Sequence, residues 1–485
     1  MNFQIVFRVI GYVLRCEAGL LALPVVVAAL YQEWTVVPVF LLSIAAALMI
    51  SQLLLILCRP KSTYMRPTEG FFAVAGTWLA LAAVGALPFF FSGYFGNYVN
   101  CLFEAMSGFT TTGSTILTDV EVIPRGLLFW RSLLHWVGGM GILVFVLGLM
   151  PNMDPSSVQL MKAESPGPMP GKLVPKLKDT SRILYAIYLV MTLVQIVLLC
   201  VVGMPLFDSV IHALGSAGTG GFSCMNLSVG AYNNVAAEVI ITVFVLLFGV
   251  NFNLYYLILR KQWTGIWENE ELKLYFGIVI GATALITLNT MSSVYGGSFW
   301  EALRHASFQV GTIITTTGYG TADSTQWPLF SQMILLGLMV VGACAGSTGG
   351  GIKVSRLLIL CKTIKKEISR ILHPNLIKSI KTEGRSVPNS VVRNVLVFFF
   401  VYTMIIGISI LLISLDGYDF TTTTTAVFAT INNIGPGLGQ VGPLGNYSIF
   451  SDFSKLIMTF CMWAGRLEIF PVLIMFSPSI WRREF

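Results

Sequence analysis

"TTTGYG", residues 315–320, places three threonines, two glycines and a tyrosine side by side in a chain that is otherwise strongly apolar. Taken alone, the stretch fits an ordinary turn, because Gly and Thr are common in loops. Its meaning therefore depends on the segments around it and on whether it recurs.

The composition indicates an integral membrane protein. Of the 485 residues, 55% are hydrophobic and 11% are charged, and the mean hydropathy is +0.77, well outside the range of soluble domains. Apolar runs of about 20 residues, the length that crosses the hydrocarbon core, recur along the chain and leave no soluble domain over. The first apolar segment lacks a cleavage-type pattern and is expected to be a retained helix. The eight cysteines form no C-x-x-C pair, which predicts buried small hydrophobic residues and no disulfide or metal site.

Four segments between the long apolar runs are too short to cross a membrane. Each holds about a dozen apolar residues and ends in Gly with Thr or Asn, and such irregular backbone is tolerated at membrane depth only inside protein or beside water. We therefore predict four re-entrant hairpins, within 97–115, 204–223, 297–320 and 417–439. The predicted fold is an all-α membrane protein with four tandem helix–pore-loop–helix repeats around one pore, after an N-terminal two-helix hairpin. The predicted boundaries are 1–66 for the hairpin and 67–160, 161–262, 263–385 and 386–485 for the repeats.

The distribution of charge predicts the orientation. Among the 30 Lys and Arg residues, the four hairpins and their flanking loops hold only Arg125 and Arg304, whereas the opposite connections are rich in both, above all 353–393. By the positive-inside rule, those connections and both termini are cytoplasmic and the hairpins open outward.

The four hairpins align on their glycines, and the aligned strands are candidates for a cation filter. Four equivalent strands around one axis would present rings of backbone carbonyl oxygens that can replace the water shell of a potassium ion. The preceding half-helices would add the negative ends of their dipoles. The candidate filter residues are Thr111, Thr112 and Gly113, then Gly218, Thr219 and Gly220, then Thr316, Thr317 and Gly318, and finally Asn433, Ile434 and Gly435.

The third copy resembles the potassium-channel filter signature TVGYG. Four unequal copies in one chain resemble the Trk, Ktr and HKT superfamily of potassium transporters, over nearly the whole length, and "WAGRLEIFPVL" (463–473) is most similar to the bacterial TrkH branch. The resemblance implies gated potassium uptake across the bacterial cytoplasmic membrane, a homodimer with one pore per protomer, and a cytosolic TrkA-type ring that binds nucleotide. It also implies potassium as bound and transported ion, without an organic cofactor in this chain. In plant relatives a serine at the first filter glycine is associated with sodium, so Gly113 favours potassium.

A glycine-rich stretch within 342–352 is a candidate gate. The apolar run before it, 328–341, has about 14 residues and reaches roughly 21 Å, short of the bilayer core. The stretch is therefore predicted to lie inside the membrane, below the third strand, and its alternative is a cytoplasmic turn. Ile352 interrupts any resemblance to a phosphate-binding P-loop. The candidate gate residues are Gly346, Ser347, Thr348, Gly349, Gly350 and Gly351, with the basic helix after Lys353 transmitting force from a cytosolic partner.

Arg466 lies in the last apolar segment, where a charge is costly and by default functional. We predict that it forms an electrostatic barrier below the filter and contacts the gate. A purely structural pairing with carbonyl groups or a distant carboxylate is the alternative.

Other charged residues are predicted to be structural. Arg131 and His135 share a helix face and are expected to anchor to Asp119 or Glu121. Asp208, Glu301 and Asp419 lie at the starts of half-helices and are expected to cap them.

The two alternative function classes are a coupled symporter and an enzyme. A proton- or sodium-coupled potassium symporter needs a buried titratable group at mid-depth, for which Arg466, Glu468 and His135 are the few candidates. An enzyme needs clustered His, Asp or Glu or an activated nucleophile, and the sequence shows no such pattern. The net charge of +7 is accounted for by topology, so no nucleic-acid partner is predicted.

Overall fold

The computed structural model describes residues 2–60, 65–141, 177–374 and 379–478. The predicted boundary between the first and second repeats, at residue 160, lies outside these residues. The described chain is helical apart from one short hairpin. An N-terminal group precedes the repeats and consists of α1 (Phe3–Leu20), α2 (Ala22–Leu30) and α3 (Val37–Leu57).

Each repeat contains a long helix, a short half-helix, a connecting segment and a second helix. We call the connecting segment after each half-helix its strand, although it is not part of a β-sheet. Repeat 1 has α4 (Pro67–Gly85), α5 (Leu87–Ser92), α6 (Tyr98–Phe109) and α7 (Arg125–Gly139). Repeat 2 has α8 (Leu177–Val201), α9 (Leu206–Gly218), α10 (Val235–Phe248), α11 (Phe252–Leu259) and α12 (Thr264–Trp267). Repeat 3 has α13 (Glu270–Ser293), α14 (Phe299–Ile314), α15 (Leu329–Val341), α16 (Val354–Leu372) and the hairpin β1 (Lys381–Thr382) and β2 (Arg385–Ser386). Repeat 4 has α17 (Asn389–Ile413), α18 (Phe420–Ile431), α19 (Asp452–Arg466) and α20 (Phe470–Met475). Four short 3₁₀ turns lie at Ser228–Tyr232, Ser324–Gln326, Ser414–Asp416 and Gly439–Val441.

Six helices or continuous helix pairs in the described ranges are long and apolar enough to cross a membrane. The apolar run formed by α10 and α11 is bent by 92° between the two helices. The glycine-rich stretch of repeat 3 explains the bend, because it binds the backbone there. Cys344 N donates to the carbonyl oxygen of Gly249 at 3.1 Å, and Phe252 N donates to that of Gly346 at 3.0 Å.

The four half-helices have 12, 13, 16 and 12 residues. At 1.5 Å of rise per residue they reach about 18–24 Å, so they are shorter than the bilayer core, as predicted. Polar side chains begin three of them. Asn97, Ser298 and Asp419 accept hydrogen bonds from the backbone N–H three residues further on, which satisfies donors that a helix start leaves free.

The repeats pack in a closed cycle. In each repeat the first long helix packs on its own half-helix, as α4 does on α6. The helix after the strand packs on the half-helix of the next repeat: α7 contacts α9, α10 contacts α14, α15 contacts α18, and α19 returns to α6. The four half-helices are therefore arranged around one centre, and their C-terminal ends lead into the strands.

Candidate ion pathway

All four strands have the same backbone. Each half-helix is followed by a residue with positive φ and, two positions later, by a glycine with positive φ. The pairs are Thr111 (55°) and Gly113 (82°), Thr219 (54°) and Gly221 (78°), Thr316 (60°) and Gly318 (80°), and Asn433 (56°) and Gly435 (96°). A left-handed threonine costs about 1–2 kcal/mol, so its repetition indicates that the surrounding structure imposes this geometry.

The second strand is in a different register from the sequence alignment. The alignment on Gly220 predicted Gly218, Thr219 and Gly220 as the candidate triplet, whereas the structure places Thr219, Gly220 and Gly221 in that position. Gly218 is the last residue of α9. The prediction was wrong by one residue because three glycines lie within four positions, and the alignment ignored the Thr or Asn two residues before each glycine.

Backbone hydrogen bonds confirm the common register. The N–H of the middle residue of each triplet donates to a carbonyl oxygen five residues back in its half-helix. The pairs are Thr112 to Ser107 at 2.8 Å, Gly220 to Gly215 at 2.8 Å, Thr317 to Thr312 at 2.7 Å, and Ile434 to Ala429 at 2.9 Å. The strand N–H groups are thus tied to the half-helices, behind the strands.

The strands close into a ring. The four positive-φ glycines each lie directly against a carbonyl group of the next strand, so that a methyl group there would overlap it. Gly113 faces Gly220 O, Gly221 faces Thr317 O, Gly318 faces Ile434 O, and Gly435 faces Thr112 O. The same four glycines line one cavity of about 130 Å³, together with residues that follow them in the chain. Such a ring brings carbonyl oxygens of four segments together, which is the donor set that suits a dehydrated monovalent cation.

The position after each glycine differs between the strands. It is occupied by Ser114, Phe222, Tyr319 and Pro436. Tyr319 is fully buried and its hydroxyl donates to the carbonyl oxygen of His212 at 3.1 Å. In the fourth strand a tyrosine from a later loop, Tyr447, donates to the carbonyl oxygen of Gly435 at 2.7 Å. The residues that follow the glycines therefore differ from strand to strand, while the triplets share one backbone conformation.

The glycine-rich stretch of repeat 3 lies against the inner ends of the third and fourth strands. Gly350 N donates to Thr316 Oγ1 at 2.6 Å, and a Cβ at Gly350 would lie 3.1 Å from Asn433 Cβ while overlapping the carbonyl group of Asn432. The preceding helix α15 has 13 residues, as short as predicted. These contacts place the glycine-rich stretch directly against the strands. We call residues 342–353 the inner loop.

The structure adds two residues that the sequence analysis did not single out for the inner loop. Glu271, at the start of α13, accepts from Ala345 N at 2.7 Å and from Ser355 N at 3.0 Å, so that one carboxylate binds the backbone both before and after the glycines of the inner loop. Lys353 is buried and its ammonium group donates to the carbonyl oxygen of Gly349. An acid in the first turn of a helix is ordinarily a dipole partner, so no sequence signal distinguished Glu271.

Arg466 joins the inner loop to the first repeat. Its guanidinium donates to the carbonyl oxygens of Thr348 at 2.8 Å and of Gly138 and Gly139 at 2.6 Å each. This is the carbonyl pairing of the structural alternative, and one of the carbonyls belongs to the inner loop, as the gate hypothesis requires. Glu468 points elsewhere and forms an ion pair with Arg356 of α16.

Arg131 and His135 have other partners than predicted. Arg131 forms a buried ion pair with Glu104 of α6, at 2.7 Å, and His135 Nδ1 lies 2.9 Å from the carbonyl oxygen of Gly108. Asp119 instead accepts from the side-chain amide of Asn226 at 2.8 Å, and this hydrogen bond lowers the pKa of Asp119 from its ordinary value. The prediction was wrong because helical spacing says nothing about a partner on another helix.

The predicted caps are correct in one case of three. Asp419 accepts from Thr422 N at 3.0 Å. For α14 the capping residue is Ser298 and not Glu301. Pro205 precedes α9, and the carboxylate of Asp208 accepts from the thiol of Cys224 at 3.4 Å.

Comparisons with known proteins cover the whole chain. Residues 37–483 match the sequence profile of the TrkH family, described as a cation transport protein. The chain is 35% identical to the Trk system potassium uptake protein TrkH of Salmonella typhimurium over 485 residues, covering 99% of this chain and 100% of the relative. It is 34% identical to the TrkH of Escherichia coli K12, with the same coverage. The fold is similar to the crystal structure of the potassium transporter TrkH from Vibrio parahaemolyticus, with a TM-score of 0.89, 30% identity, and coverage of 99% of this chain and 100% of the other.

Proposed function

This chain belongs to the TrkH family of cation transport proteins, and on that premise we propose that it takes up potassium through a gated, selective pore. It is a multi-pass protein of the bacterial cytoplasmic membrane and a transport protein, not an enzyme. The observation that carries the proposal is the closed ring of four strands with one backbone conformation.

The ring acts as the selectivity filter in this proposal. Carbonyl oxygens of the triplets replace the hydration shell of potassium, and the half-helix dipoles add negative potential. Potassium is both the bound ion and the cargo. Because the outer positions are unequal, binding should be strongest at the level of the triplets. The filter residues are Thr111, Thr112, Gly113, Thr219, Gly220, Gly221, Thr316, Thr317, Gly318, Asn433, Ile434 and Gly435.

The inner loop and Arg466 act as the gate. A glycine-rich segment that packs under two strands can obstruct the path, and a positive charge beside it raises the energy of a passing cation. The loop continues directly into the basic helix α16. Arg356 of that helix is paired with Glu468, two residues after Arg466, so a displacement of α16 would act on both parts of the gate.

The expected partners follow from the relatives, which are named as parts of a Trk system. We expect a homodimer, with one pore in each protomer, and a cytosolic TrkA-type ring that binds nucleotide and moves α16. Several basic residues of 353–393 are exposed and provide a cationic surface for such a partner: Lys365, Arg370, Lys381 and Arg393.

Ion flux in liposomes tests the proposed function. Purified protein should pass potassium and rubidium in preference to sodium, with a rate that rises when a cognate ring in its activating nucleotide state is added. Equal permeability for the three ions would overturn the selective filter.

A coupled symporter is the second candidate, and one observation favours it. Glu17 is fully buried in α1, and neither carboxylate oxygen has a hydrogen-bond partner among the described residues. A buried acid of this kind is what proton coupling needs. Accumulation of potassium beyond the level that the membrane potential allows would decide for the symporter.

A further inference from the structure

A buried ion pair lies behind the first strand. Glu104 on α6 and Arg131 on α7 are 0% and 1% exposed, and the Arg131 Nε and Nη2 atoms lie 2.8 and 2.7 Å from Glu104 Oε1. Removing two charges from water is costly unless further hydrogen bonds satisfy both groups. The groups that hydrogen-bond to this ion pair therefore indicate which segments it positions.

Those partners are on the segments that leave the ring. Glu104 accepts from the hydroxyl of Thr115 at 2.9 Å and from Ile116 N at 3.0 Å, and Arg131 Nη2 donates to the same hydroxyl at 3.1 Å. Thr115 is two residues after Gly113, so the pair fixes the exit of the first strand.

Arg131 also reaches the second strand. Its guanidinium lies 4.0 Å from the ring centroid of Phe222, a cation–π distance, and Nη1 lies 3.5 Å from the carbonyl oxygen of Ser223. Phe222 follows Gly221 directly. One ion pair thus connects the exits of two adjacent strands.

The same two positions recur in the other repeats with different chemistry. Glu104 is nine residues before Gly113, and the equivalent residues are His212, Gln309 and Ala426. Thr115 corresponds to Ser223, Gly320 and Gly437. His212 Nε2 lies 3.1 Å from Ser223 Oγ. In the third repeat the two positions hold Gln309 and Gly320, and the side-chain amide of Gln309 has no hydrogen-bond partner among the described residues. Of the four, the first repeat alone has a charged residue bridging these positions.

We propose that Glu104 and Arg131 are positioning residues for the filter, which set the spacing of the first and second strands and thereby the discrimination between potassium and sodium. Neither touches the ion. The distance between the carbonyl oxygens determines which ion they coordinate best. An ion pair that fixes the spacing of two neighbouring strands therefore affects the selection between potassium and sodium. This inference rests on the proposed pore function.

Thr115 offers a test that leaves no buried charge unpaired. Thr115→Val removes the hydroxyl that both charged groups bind, and Thr115→Ser retains it. The measurement is the potassium-to-sodium permeability ratio in liposomes, at equal amounts of folded protein. We expect the ratio to fall by roughly fivefold or more in Thr115→Val and to stay at the wild-type value in Thr115→Ser. Glu104→Gln, which does remove the carboxylate partner of Arg131, should lower the ratio as well.

Glu238→Gln is the matched control. Glu238 forms an ion pair with Arg304 at 2.6 Å, in which the Arg304 side chain is 29% exposed. In the described structure neither side chain hydrogen-bonds to the four strands or to the segments that leave them. Its permeability ratio should equal that of the wild type. If folded Thr115→Val and Glu104→Gln keep the wild-type ratio, or if Glu238→Gln lowers it equally, the positioning role is wrong. A wild type that does not discriminate at all would instead refute the proposed function.

Discussion

Arg466 donates a hydrogen bond to the carbonyl oxygen of Thr348, 118 residues earlier in the chain, at 2.8 Å. The residue that we propose as the electrostatic barrier is therefore bound to the inner loop itself. If the inner loop moves, this hydrogen bond either breaks or moves Arg466 with the loop. We therefore expect the loop and the charge of Arg466 to leave the ion path in the same step.

Replacing Arg466 with Gln should raise potassium flux. A unit charge about 10 Å from a passing cation costs about 1.7 kcal/mol at an effective dielectric constant of about 20, so the gain is on the order of tenfold. Flux of the variant in liposomes without a partner protein measures it. Arg15→Gln is the control, since Arg15 binds Gln52 on the N-terminal helices. Unchanged flux in Arg466→Gln would eliminate the barrier role.

Replacing Gly350 with Ala should displace the inner loop. The added methyl group overlaps the carbonyl group of Asn432, so the loop can no longer pack under the fourth strand, and potassium flux without a partner should increase severalfold. Gly337→Ala in α15 is the matched control, because nothing lies within 4 Å of its Cβ position. If both variants conduct like the wild type, the loop does not obstruct the path.

Replacing Gly113 with Ser should lower the preference for potassium over sodium. Gly113 has φ of 82° and faces the carbonyl group of Gly220, so a side chain both strains the backbone and separates two strands. Gly93 has φ of 77° with open space around it. Gly93→Ser therefore carries the backbone strain of about 1 kcal/mol alone, and should leave the permeability ratio unchanged. A Gly113→Ser protein that discriminates as well as the wild type would contradict the filter assignment.

Replacing Glu17 with Met separates a pore from a proton-coupled carrier. Removing two buried oxygens that lack partners should stabilise the protein by about 1–3 kcal/mol, seen as a higher midpoint of thermal unfolding. Glu69→Met is the control and should lower the midpoint, because Glu69 accepts from the backbone N–H groups of Asn2 and Arg66. Under the pore proposal, potassium flux and its pH dependence stay as in the wild type. Loss of uphill or pH-dependent uptake in Glu17→Met would favour the symporter.

The architecture was predictable from the sequence because it depends on local features. Under-length apolar runs that end in Gly with Thr or Asn identify the half-helices, and their recurrence identifies the ring. The short run before residue 342 likewise predicts the inner loop. These properties can be read from spacing and hydropathy without any knowledge of distant contacts.

The partners of the charged residues were not predictable, since they depend on contacts between distant segments. Glu104 lies 27 residues before Arg131 on another helix, and Glu271 binds backbone groups 74 and 84 residues away. The prediction of the register of the second strand was wrong for a different reason. Glycines at 218, 220 and 221 allow two alignments on glycine alone. Thr219, two residues before Gly221, is the sequence signal that separates them, and the backbone angles agree with it.

The return of α19 to α6 has a consequence for biosynthesis. Asp452 accepts from the side-chain amide of Asn97 at 2.8 Å, and Trp463 donates to the carbonyl oxygen of Ala75 at 3.2 Å. These contacts join the first repeat to the last, so the circle cannot be completed until translation has passed residue 463. Until then the surface of the first repeat that α19 covers stays without its partner helix in the bilayer. In a chain released before residue 463 that surface would remain uncovered.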